Sequence, residues 1–240
     1  MARTGWLLWV VWAVGLAAAG VAHAAGELHL VVYPNPGLFE VGADDSLSGK
    51  GMTLIQRMGG VSGITLNVQS LPIPRALATG AATPNHCLVG MIRTPEREAS
   101  FAWVGPVGGG SVVAYVRADD TRPLKDASDL RGRQLVTQRD SAMASALRQQ
   151  GLAPYEANNP LGALRMLQAG RADVWVASEL SAQPTLDAAG GAAVRPALVL
   201  QRVEIYLACH LGSEAELLTR LQQAVQRLRR QGELTEFGLR

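Results

Sequence analysis

Four arginines stand where predicted strands or helices meet turns: Arg75, Arg93, Arg97 and Arg139. A guanidinium presents a planar fork of donors that pairs bidentately with a carboxylate. Two or more of them facing one cleft would suit a ligand with more than one anionic group. Each has a plain alternative as a solvated surface arginine, and Arg93 and Arg97 sit four apart around a turn, so both need not face one way. Next to Arg139 runs Asp140-Ser141-Ala142, at the start of a predicted helix. Free N–H groups and the positive helix end favour an anion there, although Ser141 can equally cap its own helix. The residues that usually carry bond-breaking chemistry are not arranged for it. His23, His29, His86 and His210 are scattered, with no HxxxH or CxxC spacing for zinc. There is no GxSxG elbow and no phosphate-binding loop. No metal and no cofactor is expected. Acid–base work would fall to Glu179 and Asp140, and no placed pair of the two is visible.

Elements of alternating type position these residues. The run Leu28 to Tyr33 reads as a buried strand, Gly51 to Met58 as a helix stopped by Gly59-Gly60, and Ile64 to Val68 as a second strand. Pro74 opens a short helix to Ala82, and Cys87 to Ile92 is a third strand. That βαβαβ order argues for an α/β sheet covered by helices. Ser111 to Val116 is a further strand after Gly108-Gly109-Gly110. The pattern then restarts: a helical turn at 126–130, a strand at 134–137, helices at 141–150 and 160–170, a strand at 173–177, a helix at 179–188, and extended chain at 194–200 and 203–209. Asn159-Pro160 is a strong helix start. The last helix, 213–231, has a Ser213/Glu216 capping-box pattern, an apolar stripe and Gly232 as its stop.

Arg3, the uncharged apolar run Trp6 to Ala19, and Ala22-His23-Ala24 form the order of a cleavable secretory signal over residues 1–24. The alternative, a membrane anchor, is near the lower length limit and lacks a basic stop signal. Cleavage leaves about 215 residues, one large domain or two small lobes. Basic and acidic residues nearly balance, 22 against 20, and no basic face stands out, which argues against nucleic acid as a partner. Cys87 and Cys209 both fall on predicted strands, and an exported chain can keep them as a disulfide. Two unpaired core thiols are the alternative.

The stretch MIRTPEREASFAWVGP, Met91 to Pro106, resembles the family-3 extracellular solute-binding proteins that serve polar amino-acid importers. That family has a T-x-x-R turn after this strand, then an aromatic residue and a Gly/Ser-Pro pair. The resemblance runs over nearly the whole exported chain: YPNPGLFE, SGKGMTLIQRM, PIPRAL, LRGRQLVTQRDSAMASAL, GRADVWVASE and the terminal QGELTEF each match a family segment. It implies that Arg97 pairs with a ligand carboxylate, that Tyr33 and Arg75 face the ligand, and that Asp140, Ser141 and Ala142 form the ligand loop of the second lobe. The family's ammonium-binding aspartate aligns with Ser178, next to Glu179, which puts an amino-acid ligand in doubt. Asp173 is read as structural.

The expected architecture is a two-lobed α/β fold with two hinge crossover strands. Residues 25–113 and 206–240 make lobe 1, and residues 114–205 make lobe 2. The expected function is a periplasmic, monomeric, non-enzymatic protein that closes its lobes on a small anionic or amino-acid-like ligand. An ABC permease or a membrane sensor would read the closed form. The candidate ligand residues are Tyr33, Arg75, Arg97, Arg139, Asp140, Ser141 and Ser178. The alternative is a periplasmic dehydratase-like enzyme of the same fold acting on a dicarboxylate.

Overall fold

The computed structural model of the protein describes residues 26–35, 38–191 and 193–239. The expected signal segment lies outside the described residues. Among them no helix is long and apolar enough to cross a membrane.

The chain begins with β1 (Glu27–Val32), a small hairpin of β2 (Glu40–Val41) and β3 (Leu47–Ser48), α1 (Lys50–Ser62), β4 (Thr65–Ser70), α2 (Ile73–Ala82), β5 (His86–Ile92) and the single turn α3 (Pro95–Glu98). The long strand β6 (Ala102–Arg117) leads into β7 (Leu135–Gln138), α4 (Ala142–Gln149), β8 (Tyr155–Ala157), α5 (Pro160–Gln168), β9 (Val174–Ser178) and α6 (Glu179–Ala188). A second long strand, β10 (Val194–Cys209), returns to α7 (Ala215–Arg230). One eight-stranded sheet runs in the order β4-β1-β5-β10-β6-β9-β7-β8.

Two lobes arise because β6 and β10, each 16 residues long, pair antiparallel over nearly their whole length. Near one end β10 also pairs with β5, from Ile205↔Ile92 to Cys209↔Cys87. Further along, β6 changes neighbour and pairs with β9, from Val112↔Ser178 to Tyr115↔Trp175. Side-chain alternation gives each lobe a core on both faces of its sheet. In the first lobe Leu28, Leu30 and Val32 point toward α1 and α7, while Val31 points toward α2. In the second, Val112, Ala114 and Val116 pack with Leu147 of α4, and Val113 and Tyr115 pack with Leu164 and Leu167 of α5.

Several boundaries differ from the sequence reading. Helix α1 runs through Gly59-Gly60 and ends at Gly63, whose φ of 65° makes the left-handed cap. The triplet Gly108-Gly109-Gly110 does not break a strand but lies inside β6. The stretches 194–200 and 203–209 are one strand whose ladder carries register shifts. No Ser213/Glu216 box caps α7. The Ser213 hydroxyl instead accepts from the Asn85 N–H, and the Asn85 side chain accepts from the Glu214 N–H, both at 2.9 Å. The loop before β5 thus supplies the cap that the helix was expected to make for itself.

Cys87 and Cys209 are directly opposed across β5 and β10 and form a fully buried disulfide. Asp173 is structural: its carboxylate accepts from the Gln134 N–H and from Arg122.

Candidate functional site

The strands of both lobes end at a shared cleft, and the loops after them line a cavity of about 110 Å³. From lobe 1 the chain past β1 brings Tyr33 and Asn35, and the turn past β5 brings Arg97. From lobe 2 the loop between β7 and α4 brings Gln138, Asp140 and Ser141, and the junction of β9 and α6 brings Ser178. The carboxyl ends of α/β strands are where such loops can converge on a ligand.

Tyr33 donates its hydroxyl to the Gly90 carbonyl at 3.2 Å. Burial raises its pKa, against the pull of Arg97. Gly90 is required there: its φ is 88°, and an added Cβ would lie 3.3 Å from the Tyr33 hydroxyl. Arg97 lies on α3 and reaches over the cleft to the Asp140 carbonyl oxygen of lobe 2, at 3.2 Å. Burial lowers its pKa, while Tyr33, Glu96 and Asp140 oppose that shift. Close by, Gln149 of α4 donates to the Glu96 carboxylate at 2.7 Å, a second contact between lobes.

Asp140 holds a φ of 55°, uncommon for a residue with a side chain. This one left-handed residue turns the chain from the end of β7 into α4. Ser141 follows as N-cap: its hydroxyl donates to the Gln138 carbonyl at 2.6 Å and accepts from the Ala144 N–H at 3.1 Å. Both capacities of that hydroxyl are therefore engaged within the loop. The first helical residues, Ala142 and Met143, line the cavity, and their backbone N–H groups have no partner within the helix.

Of the expected residues, Tyr33, Arg97, Asp140, Ser141 and Ser178 are brought together at one cavity. Arg75 and Arg139 are exposed and lie outside its lining. Arg139 extends the β8 edge instead, its N–H donating to the Ala157 carbonyl at 2.8 Å. Arg93 also turns away. It pairs with Glu98 and stacks over Trp103 and Tyr206, 5.4 and 5.1 Å from their ring centres. Arg97 and Asp140 are thus the only charged residues among the described residues lining the cavity.

Glu179 does not stand in for an aspartate at Ser178. Its carboxylate accepts from the Ser111 N–H at 2.8 Å and lies outside the cavity lining. Ser178 itself is buried, 7% exposed. Sequence reasoning missed Asn35, which is 5% exposed with an Oδ1 that accepts no hydrogen bond. It also missed the apolar wall of Leu38, Phe39, Leu54, Ile73, Val107 and Phe237. The available signals were the Pro-Asn-Pro run after β1 and the terminal LTEF segment that carries Phe237.

No protein-family model matches the sequence, and no curated protein matches it. Solved structures do match. A histidine kinase sensor domain with similarity to periplasmic binding proteins superposes with a TM-score of 0.78 at 20% identity, covering 89% of this chain and 95% of that one. The ligand-binding core of GluR0 from Nostoc punctiforme, in complex with L-glutamate, gives 0.75 at 19%, covering 88% and 96%. The arginine-bound form of truncated ArgBP from T. maritima gives 0.73 at 19%, covering 85% and 96%. The chain therefore has the two-lobed fold of periplasmic binding proteins.

Proposed function

We propose that this chain is an exported, non-enzymatic solute-binding protein whose lobes close on a small carboxylate-bearing ligand. A membrane transporter or a sensor reads the closed form. The observation that carries this is Arg97, the one cationic side chain among the described residues lining the cavity, half-buried and facing the lobe whose α4 begins with N–H groups the helix cannot use. A carboxylate between them is compensated from both sides. The similar folds that bind arginine and glutamate support the same kind of role.

Closure bends the two crossing strands. We place the hinge at Gly108–Ser111 in β6 and Arg202–Glu204 in β10, where the outer pairing partners change. Contacts from both lobes to one ligand favour the closed state, because the ligand has differential affinity for it. The dehydratase alternative is supported less well. It needs an acid and a base together, and Asp140 is the only carboxylate in the cavity lining among the described residues.

A ligand head with a carboxylate and no required amino group fits best. Ser178 offers no charge to an ammonium, and Glu179 is held by the Ser111 N–H. Mass spectrometry of small molecules released from the purified protein tests the reading. A carboxylate that rebinds stoichiometrically and unchanged supports it. A protein that releases no carboxylate, and is not stabilised against heat by any, sinks it.

A further inference from the structure

We infer that the ligand carries one carboxylate on a compact, uncharged, mainly aliphatic body. This names the ligand class of the site just proposed and rests on that reading. Its basis is the division of labour around the cavity. The carboxylate partners, Arg97 of α3 and the start of α4, come from the two lobes, where Arg97 meets the Asp140 carbonyl at 3.2 Å. Much of the lobe 1 lining is an apolar wall that includes Leu38, Phe39, Leu54, Ile73, Val107 and Phe237. Four of these six, Phe39, Leu54, Val107 and Phe237, are members of the lobe 1 core itself, so that end of the cavity continues the hydrophobic interior.

A charged group placed against that wall would lose its hydration. Nothing there offers it a partner. Arg75, Arg93 and Arg139, which could have held a second carboxylate, all lie outside the lining. Among the described residues no acidic side chain of lobe 1 lines it either, so a guanidinium or ammonium against that wall has no counter-ion there. The polar exceptions on this side are Tyr33, whose hydroxyl donates to the Gly90 carbonyl, and Asn35, whose unpaired Oδ1 repels a second carboxylate and suits a neutral donor. A cavity of about 110 Å³ agrees with a small body.

The test is a calorimetric titration of the protein with five probes: 4-methyl-2-oxopentanoate, 2-oxoglutarate, L-leucine, L-glutamate and L-arginine. At least one of the two leucine-bodied probes is expected to bind at least ~30-fold more tightly than every charged-bodied probe. Ile73→Asp supplies the internal control. It puts a carboxylate in the wall at the first position of α2, where the helix end tolerates it. It should weaken the leucine-bodied probe by ~10-fold or more, with unfolding temperature nearly unchanged.

Tight binding of 2-oxoglutarate, L-glutamate or L-arginine that is lost in Arg97→Ala would overturn the aliphatic body while leaving the carboxylate reading intact. If no probe binds, the carboxylate released from the purified protein decides: an aliphatic body supports the inference and a charged body overturns it. If no carboxylate is released either, the parent reading falls and takes this one with it.

Discussion

The Arg97 guanidinium of one lobe donates to the backbone carbonyl of Asp140 in the other, at 3.2 Å. That carbonyl belongs to the left-handed residue that turns β7 into α4, so the arginine touches the hinge of the ligand loop rather than a neighbouring carboxylate. Arg97→Ala is expected to weaken ligand binding by roughly 10- to 150-fold, the worth of a charge-assisted hydrogen bond of about 1.5–3 kcal/mol. The fold should persist, since α3 packs little apolar surface. Calorimetry on the mutant with the released ligand checks this, and an unchanged affinity would remove Arg97 from the site.

Ser178 and Glu179 make opposite forecasts for the ligand head. Glu179→Gln should leave affinity for any ligand nearly unchanged, because the side chain serves the Ser111 N–H. Ser178→Asp should improve binding of an α-amino acid relative to its 2-oxo counterpart, by adding a second carboxylate to a lining that already holds Asp140. Competitive titration of the matched pair reads both. Binding of the amino acid alone by the wild type, abolished in Glu179→Gln, contradicts this assignment.

The disulfide closes a loop with a sequence separation of 122. In the chain-entropy account a loop of that length constrains the unfolded chain by about 4–5 kcal/mol. Replacing both cysteines with serine should therefore lower stability by ~2–5 kcal/mol in denaturant titration. Thiol labelling of the unfolded, unreduced wild type should find neither cysteine reactive.

Lobe 2 carries a charge network that predicts its acid sensitivity. Asp120 is buried against Arg122 and Arg133, its side chain only 3% exposed. The hydrogen bonds from Arg122 hold its pKa down at about 2, against the opposing effect of burial. A carboxylate with a depressed folded pKa contributes stability that is full above its unfolded value, and that is lost as pH falls through the folded one. The loss should therefore fall between about pH 4 and pH 2. Asp120→Asn should cost ~1–2 kcal/mol at neutral pH, with screening by the half-exposed Arg122 allowed for. It should also flatten the acid limb of the stability curve. An unaltered acid limb would mean that other carboxylates govern it.

The alternation of strands and helices was legible because most elements carry their own period. The stripe Leu217, Leu218, Leu221, Val225 and Leu228 marks α7, and all of them but the half-buried Leu218 are buried. The three residues of β8 are too few to show a period, and they exist as a strand only because β7 lies beside them. Three consecutive glycines look like a turn locally. In β6 they are held extended by Val203, Glu204 and Ile205 of β10. The site divided in the same way. Arg97 could be picked out by its turn, but nothing local separates it from Arg93, which Glu98, Trp103 and Tyr206 draw aside. Asn35 and Phe237 lie some 200 positions apart, and only the tertiary fold of lobe 1 brings both to one cavity.

The bridge between β5 and β10 also decides how the molecule would respond to force. Pulled by its ends, the chain cannot transmit tension into residues 88–208, because the load passes through the covalent link from Cys87 to Cys209. All of lobe 2 and both crossing strands up to Ala208 lie inside that shielded ring. Only the flanking described segments, 26–86 and 210–239, can be drawn out, releasing roughly 300 Å of contour at about 3.3–3.6 Å per residue. Reduction would bring the ring into the load path and more than double that length. With the bridge intact, the ligand clamp would be stripped of β1, α1 and α7 mechanically while its hinge strands stayed joined, so tension dismantles one jaw and leaves the other whole.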